Sequence, residues 1–344
     1  MRAFVLEDFG QRLKQSEAPR PKPGRGEALV KMKACGVGLT LSWVRLGRMN
    51  ATAPRIIGHE IAGVVEEIGE GVSELAVGDS VAVYFYLTCG KCEYCLTYRE
   101  TTCVNFKGNV GTKIDGGFAE YVKLPVQNLF KFDSRKISFA KAAIISDAIA
   151  TPLHIAKRRA RLTPLDKALI FGAGGGVGIH MVQMAKLFGT EVIGVDISAE
   201  KLDLAKKYGA VQAINAKEEK VAEAAKKLTR GRGVDCVIDF VSSPSSVTSS
   251  YESLSPQGRL VLVGHFHPED PLHLVDPQSI IRKEISIMGS RYASKQEFRE
   301  AIDLVEEGKI EPVVTTQYAF DKTDKALLDV EEGRVPGRAV ITLD

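Results

Sequence analysis

Apolar positions along the chain follow two patterns. Before residue 140 they come in short alternating or β-branched runs, at residues 2–6, 28–34, 61–68, 79–85 and 118–124, parted by turns such as Pro23-Gly24 and Asp115-Gly116-Gly117. These runs predict the strands of a small barrel. Further on, helix-like stretches (KLDLAKKYGA, AKEEKVAEAAKKL) alternate with strand-like ones (VDCVIDFV, RLVLVGHF, ISIMGS), the signature of an α/β layer with a parallel sheet.

Between the two lies KALIFGAGGGVGIHMVQMAKLFGTEVIGVD, residues 167–196. Residues 167–171 predict a buried strand, the glycines from Gly172 to Gly178 a tight turn, residues 177–187 a helix, and residues 191–196 a second strand. Strand, glycine turn, helix and strand closed by a carboxylate form a dinucleotide-binding arrangement. Bare backbone lets a pyrophosphate approach, and the helix N-terminus offers N–H groups and the positive end of a dipole. Counted in threes, Gly172, Gly175 and Gly178 spell G-x-x-G-x-x-G, with Gly176 and Val177 completing the turn. Asp196, ending the second strand, is placed to accept both adenosine ribose hydroxyls and to repel a 2′-phosphate, which favours NAD(H) over NADP(H).

At 344 residues, two domains are expected. A formal charge of +3, dispersed along the chain, points to neither nucleic acid nor a membrane surface. The first ten residues lack a long apolar core, and no uninterrupted apolar run approaches membrane-spanning length, so a soluble cytoplasmic protein is expected.

Cys89, Cys92, Cys95 and Cys103 give C-x2-C-x2-C-x7-C. Four thiolates from one loop close a tetrahedral shell around Zn²⁺ and leave no open position, so the expected zinc is structural. Disulfides and an iron–sulfur cluster are the competing readings. Cys35 and Cys236 lie outside the group and are read as small buried apolar residues.

Upstream stands GHEIAGVVEEIGEGV, residues 58–72. G-H-E-x2-G-x5-G-x2-V, the four-cysteine loop and the downstream nucleotide fold, in that order, resemble the zinc-containing medium-chain alcohol dehydrogenases along essentially the whole chain. The resemblance implies α/β plus β architecture: a GroES-like barrel catalytic domain over residues 1–147, a Rossmann doubly wound parallel-sheet domain over 148–291, and a return to the first domain over 292–344. It also implies a homodimer or homotetramer. By position it assigns Thr151 to the nicotinamide, Lys201 to the adenosine ribose, Val263 and Gly264 to backbone contacts with the nicotinamide, and Arg338 to the pyrophosphate. For Lys201 an ordinary solvated helix charge is the alternative. His265 and His267 follow the fifth strand of the nucleotide fold, where a histidine could offer a proton to substrate or simply be solvated.

The sequence departs from the family at the catalytic site. Where members read G-V-C-x-T-D-x-x-H, this chain reads Gly36-Val37-Gly38-Leu39-Thr40-Leu41-Ser42-Trp43. Gly38 cannot ligate a metal, Leu41 cannot orient His59, and Trp43 cannot relay a proton. Thr40 remains for the substrate oxygen. His59, Glu60 and Asp147 remain as donors: with a water they are a possible open zinc set, and otherwise a hydrogen-bonded cluster at a lapsed metal site. Without the thiolate, a catalytic zinc is expected to be weak.

These readings converge on an NAD(H)-dependent oxidoreductase that interconverts a small-molecule alcohol, secondary and apolar or bulky, with its carbonyl. The alternatives are a zinc-independent reductase of activated C=C bonds, to whose relatives the G-x-x-G-x-x-G turn is closer, and a nucleotide-binding protein without turnover.

Overall fold

The computed structural model describes residues 1–264 and 277–343. The chain forms two compact units, one made of Met1–Ala150 with Ala293–Asp344, the other of Thr151–Tyr292.

The continuous unit is built on six parallel strands in the spatial order Gln212–Asn215, Glu191–Asp196, Lys167–Phe171, Val234–Asp239, Leu254–Leu262, Ser286–Gly289. Numbered along the chain this is 3-2-1-4-5-6, the doubly wound Rossmann order. Its order reverses beside the first strand, so the crevice for a dinucleotide opens beyond the carboxyl ends of Lys167–Phe171 and its neighbours. Apolar runs without alternation mark the inner strands: Leu169, Ile193, Val195, Val237 and Leu260 share one buried cluster, which Ile214 of the edge strand joins. The helix expected over AKEEKVAEAAKKL forms only as Val221–Leu228, because its AKEE start is a turn.

The split unit is β-rich. One sheet has the order Val314–Ala319, Arg338–Thr342, Glu27–Val37, Glu60–Ile68, Ser80–Val83, Leu129–Lys131, with Tyr121–Pro125 also on Glu27–Val37; a second joins Lys14–Glu17, Arg2–Leu6 and Arg55–Ile56. Glu27–Val37 holds the unit together. It pairs antiparallel with Arg338–Thr342, Val340 facing Gly36, and with Glu60–Ile68, Gly36 facing Glu60. Three residues distant in sequence thereby meet at one end of that strand.

The helix Phe139–Arg159 is long and apolar enough by composition to cross a membrane, but 78% of its apolar stretch is buried within the protein. Core packing accounts for its apolarity. It contains two π turns, Ile145–Ile149 and Ile155–Arg159, and such turns often mark functional positions because they re-aim side chains and free a backbone group. Asp147 sits in the first.

Candidate functional site

The glycine turn joins the strand Lys167–Phe171 to the helix Gly178–Leu187. A Cβ at Gly174 would stand 2.7 Å from the backbone carbon of Lys201, and one at Gly178 would stand 2.8 Å from that of Gly172, so neither position accepts a side chain without movement. Gly175 accepts Ile179 N–H through its carbonyl, Val177 accepts from His180 and Met181, and the buried His180 donates Nδ1–H to Gly176 O at 2.8 Å. Asp196 is 8% exposed. Its carboxylate accepts Gly174 N–H and Ile197 N–H, which fixes it against the turn while oxygen lone pairs remain for a ribose. Lys201 meets the turn through its backbone and Cβ against Gly174. Val263 and Gly264 both donate N–H to Asp239 O, just after the fifth strand, and Thr151 is buried. His265 and His267 lie outside the described residues.

The four cysteines form the second group. Cys92 Sγ lies 3.5 Å from Cys95 Sγ and 3.9 Å from Cys103 Sγ, and Cys89 Sγ lies 3.9 Å from Cys95 Sγ. Sulfurs bonded to zinc at about 2.3 Å in a tetrahedron stand about 3.8 Å apart. Backbone N–H groups, led by that of Lys91, lower the Cys89 thiol to about 6, while burial and the neighbouring thiols lift Cys95 to about 12. Four thiolates this close need a dication to ionise together. All six cysteines are unbridged, and Cys35 and Cys236 are fully buried.

The third group gathers His59, Glu60, Asp147 and Arg338 in the split unit. Glu60 is fully buried and Arg338 is 5% exposed. Arg338 Nε donates to Glu60 Oε2 at 2.8 Å, and Arg338 Nη2 stands 2.7 Å from Glu60 Oε1 and 3.8 Å from Asp147 Oδ2. Ala148 N–H, in the π turn, donates to Glu60 Oε1 at 3.1 Å. Burial pushes the Glu60 carboxyl above its ordinary range, opposed by Arg338. His59 Nε2 lies 3.5 Å from Asp147 Oδ2, and its ring packs 4.6 Å from that of Phe85. Asp147 thus stands beside an imidazole that Leu41 cannot orient. Among the described residues, the four cysteine sulfurs, all within 4.8 Å of one another, stand close enough to share one metal ion, whereas the donors of His59, Glu60 and Asp147 do not.

Two glycines make room for this pair. A Cβ at Gly36 would stand 2.9 Å from Glu60 Cβ, and one at Gly38 would stand 2.6 Å from Arg338 Cζ. Gly38, read from sequence as a lost ligand, is also the clearance for a guanidinium. Pairing of Arg338 with Glu60 had no sequence signal, because 278 positions separate them.

Thr40 is half-buried on the helix Leu39–Arg45. Leu41, on the same helix, is 1% exposed, so it packs the core and does not line a substrate surface. Trp43 carries the Arg48 guanidinium 5.0 Å above its ring. Arg45 anchors the helix: it binds both carboxylate oxygens of Glu331, at 2.7 and 2.8 Å, and the carbonyls of Gly10 and Gln11. Nothing in the hydropathy pattern marked Arg45.

Residues 24–134 match the family model described as alcohol dehydrogenase GroES-like domain, and residues 176–307 the one described as zinc-binding dehydrogenase. The chain is 36% identical to an NAD-dependent alcohol dehydrogenase of Sulfolobus acidocaldarius over 99% of both chains. It is 31% identical to an acryloyl-coenzyme A reductase of Sulfurisphaera tokodaii over 99% of both. Among solved structures it is similar to the alcohol dehydrogenase of the hyperthermophilic archaeon Aeropyrum pernix, with TM-score 0.92, 31% identity and complete coverage of both chains.

Proposed function

The chain belongs to the zinc-containing medium-chain alcohol dehydrogenase family, and on that premise we propose that it interconverts an alcohol, secondary and apolar or bulky, with its carbonyl by hydride transfer to and from NAD(H). The observation that carries the reading is the Asp196 carboxylate held against the glycine turn at the carboxyl end of the strand Glu191–Asp196. A fixed carboxylate there matches ribose hydroxyls and repels a 2′-phosphate.

NADH, when bound, supplies the hydride. Gly176, Val177 and Gly178 would offer backbone N–H groups to the pyrophosphate, while the N–H groups of Gly172 and Gly175 hold the turn on Val195 O and Gly172 O; Asp196 would hold the ribose, and Thr151, Val263 and Gly264 the nicotinamide. Lys201 and Arg338 complete the family's cofactor set by position. Thr40 donates its hydroxyl to the substrate oxygen, where negative charge grows as hydride reaches the carbonyl carbon.

Cys89, Cys92, Cys95 and Cys103 fit a structural zinc, which would cross-link the loop and take no part in the reaction. His59, Glu60 and Asp147 do not fit a catalytic zinc, because their donors do not converge. A cytoplasmic homodimer or homotetramer belongs to the same reading. Unbridged thiols accord with a reducing compartment, and the strand Ser286–Gly289 ends the parallel sheet with an open edge among the described residues.

The second reading, reduction of activated C=C bonds, is favoured by the missing thiolate at Gly38 and by the G-x-x-G-x-x-G spacing of the turn. Incubation with NADH and matched panels of ketones, enones and acyl-CoA thioesters tests both. Ketone reduction to the alcohol is expected. Saturation of C=C with ketones untouched would select the second reading, and no hydride transfer to either panel would leave a binding protein without turnover.

A further inference from the structure

We propose that His180 is a positioning residue of the cofactor site: its imidazole aims the Val177 N–H, one of the donors assigned above to the pyrophosphate of NAD(H). The inference rests on that assignment and deepens it by naming the group that holds the donor in place.

The helix Gly178–Leu187 starts irregularly. Gly175 O accepts Ile179 N–H at 3.0 Å, as a helical ladder requires, but the next rung is missing: His180 N–H turns to Val177 O at 3.1 Å, which also accepts Met181 N–H at 3.0 Å. Gly176 O is thereby left without a backbone donor among the described residues, and the imidazole takes that place with Nδ1 at 2.8 Å. Because a carbonyl oxygen only accepts, the contact puts a proton on Nδ1 whatever the charge of the ring. An apolar side chain at position 180 would orphan the oxygen.

Direction follows from the planarity of the peptide. In a trans peptide the C=O of one residue and the N–H of the next point opposite ways, so fixing Gly176 O fixes Val177 N–H as well. His180 is fully buried, whereas Gly175, Gly176 and Val177 are half-buried. The oxygen of this peptide is drawn inward to the ring, and its N–H is turned toward the side of the loop that remains open. Asp196 holds the turn at Gly174, and Gly172 O holds it at Gly175. His180 holds the peptide that neither of them reaches. Among the described residues Val177 N–H has no backbone acceptor. A phosphate oxygen supplies one, and a donor already aimed need not be ordered when the anion arrives.

The test compares binding of NADH, ADP-ribose and adenosine by fluorescence and calorimetric titration. His180→Leu removes the donor and should weaken NADH and ADP-ribose, which both carry a pyrophosphate, about 10-fold, the effect of one hydrogen bond to a charged acceptor, while adenosine is unchanged. His180→Asn, whose amide nitrogen stands about where Nδ1 does, should recover most of the affinity. An unchanged NADH affinity in the leucine variant, an asparagine variant no better than leucine, or an equal loss for adenosine, which has no phosphate, would each overturn the positioning role. Val177→Pro keeps the test open if the leucine variant does not fold: it deletes the N–H itself at a helix start, where proline is tolerated, and leaves the ring in place. It should lose the same affinity, and NADH binding equal to that of the parent would overturn the proposal. Failure of the cofactor assignment looks different, since the unmodified protein would then bind neither NADH nor ADP-ribose.

Discussion

Asp196 and Gly174 are joined by a hydrogen bond of 3.1 Å, from the backbone N–H of the turn to the carboxylate Oδ2. The residue proposed to select the ribose therefore also shapes the loop proposed to take the pyrophosphate. The unmodified protein should bind NADH more tightly than NADPH. Asp196→Ser should narrow the gap by removing a repulsive charge, and should weaken NADH as well because the turn loses its acceptor. Parallel fluorescence titrations with both cofactors decide this, and tighter NADPH binding before mutation would reverse the assignment.

The thiol group gives a stability prediction. Cys95 is 9% exposed and packs against the Sγ of Cys89 and Cys92. Cys95→Ala leaves three ligands where zinc wants four, so the purified variant should carry less than one zinc per subunit and melt lower than the parent. Melting at the parent temperature in metal-free form would show that the loop folds without the ion.

Arg45 ties the helix bearing Thr40 to the helix Thr323–Glu331. Arg45→Ala leaves Glu331 with 16% exposure and no guanidinium, a change that costs about 3 kcal/mol when a largely buried pair is broken from one side. Arg45→Met with Glu331→Leu should recover much of this loss. Urea midpoints of the parent, single and double variants measure it, and a neutral Arg45→Ala would mean that solvent fills the gap freely.

Asp329 supplies the acid sensitivity. Lys325, Arg334 and the Tyr318 hydroxyl, at 2.7 Å, all donate to it, and they hold its carboxyl well below the usual carboxylate range, Lys325 foremost. A depressed carboxyl adds stability that is complete above the unfolded value of about 4 and fades as pH falls through the lower folded value. Asp329→Asn should thus melt below the parent at pH 7, and the difference should shrink steadily below pH 4. A gap that stayed constant down to pH 2 would remove Asp329 from the account.

Local chemistry made much of the fold legible. Residues 2–6, 167–171 and 191–196 form the strands expected, because unbroken apolar runs between turns leave one solution. Boundaries drifted where tertiary pairing overrides pattern: the expected 28–34 strand runs as Glu27–Val37, lengthened by partners on both sides, and the expected 79–85 strand contracts to Ser80–Val83. The edge strands Lys14–Glu17 and Val314–Ala319 were silent, since alternating exposure with few apolar residues resembles a loop. Within the candidate site, the glycine turn and the cysteines declared themselves by spacing. Partners of Glu60 did not, because a salt bridge between distant strands leaves no periodicity, and Gly38 read as a subtraction when a Cβ there would also meet the Arg338 guanidinium.

The same 278-residue separation has a kinetic side. The unit Thr151–Tyr292 is one unbroken segment and can close as soon as it leaves the ribosome, whereas Glu60 emerges with its guanidinium still untranslated. At roughly 5–20 residues per second, the wait is about 15 to 60 s. Throughout it, Glu60 has every reason to stay in water, where a carboxylate is comfortable, and the strand Glu27–Val37 lacks the neighbour that Arg338–Thr342 provides. The nascent protein therefore has the parallel-sheet unit complete before the split unit can close its sheet. Arrival of Arg338 is the event that lets Glu60 leave water and gives the carboxyl end of Glu27–Val37 its second neighbour.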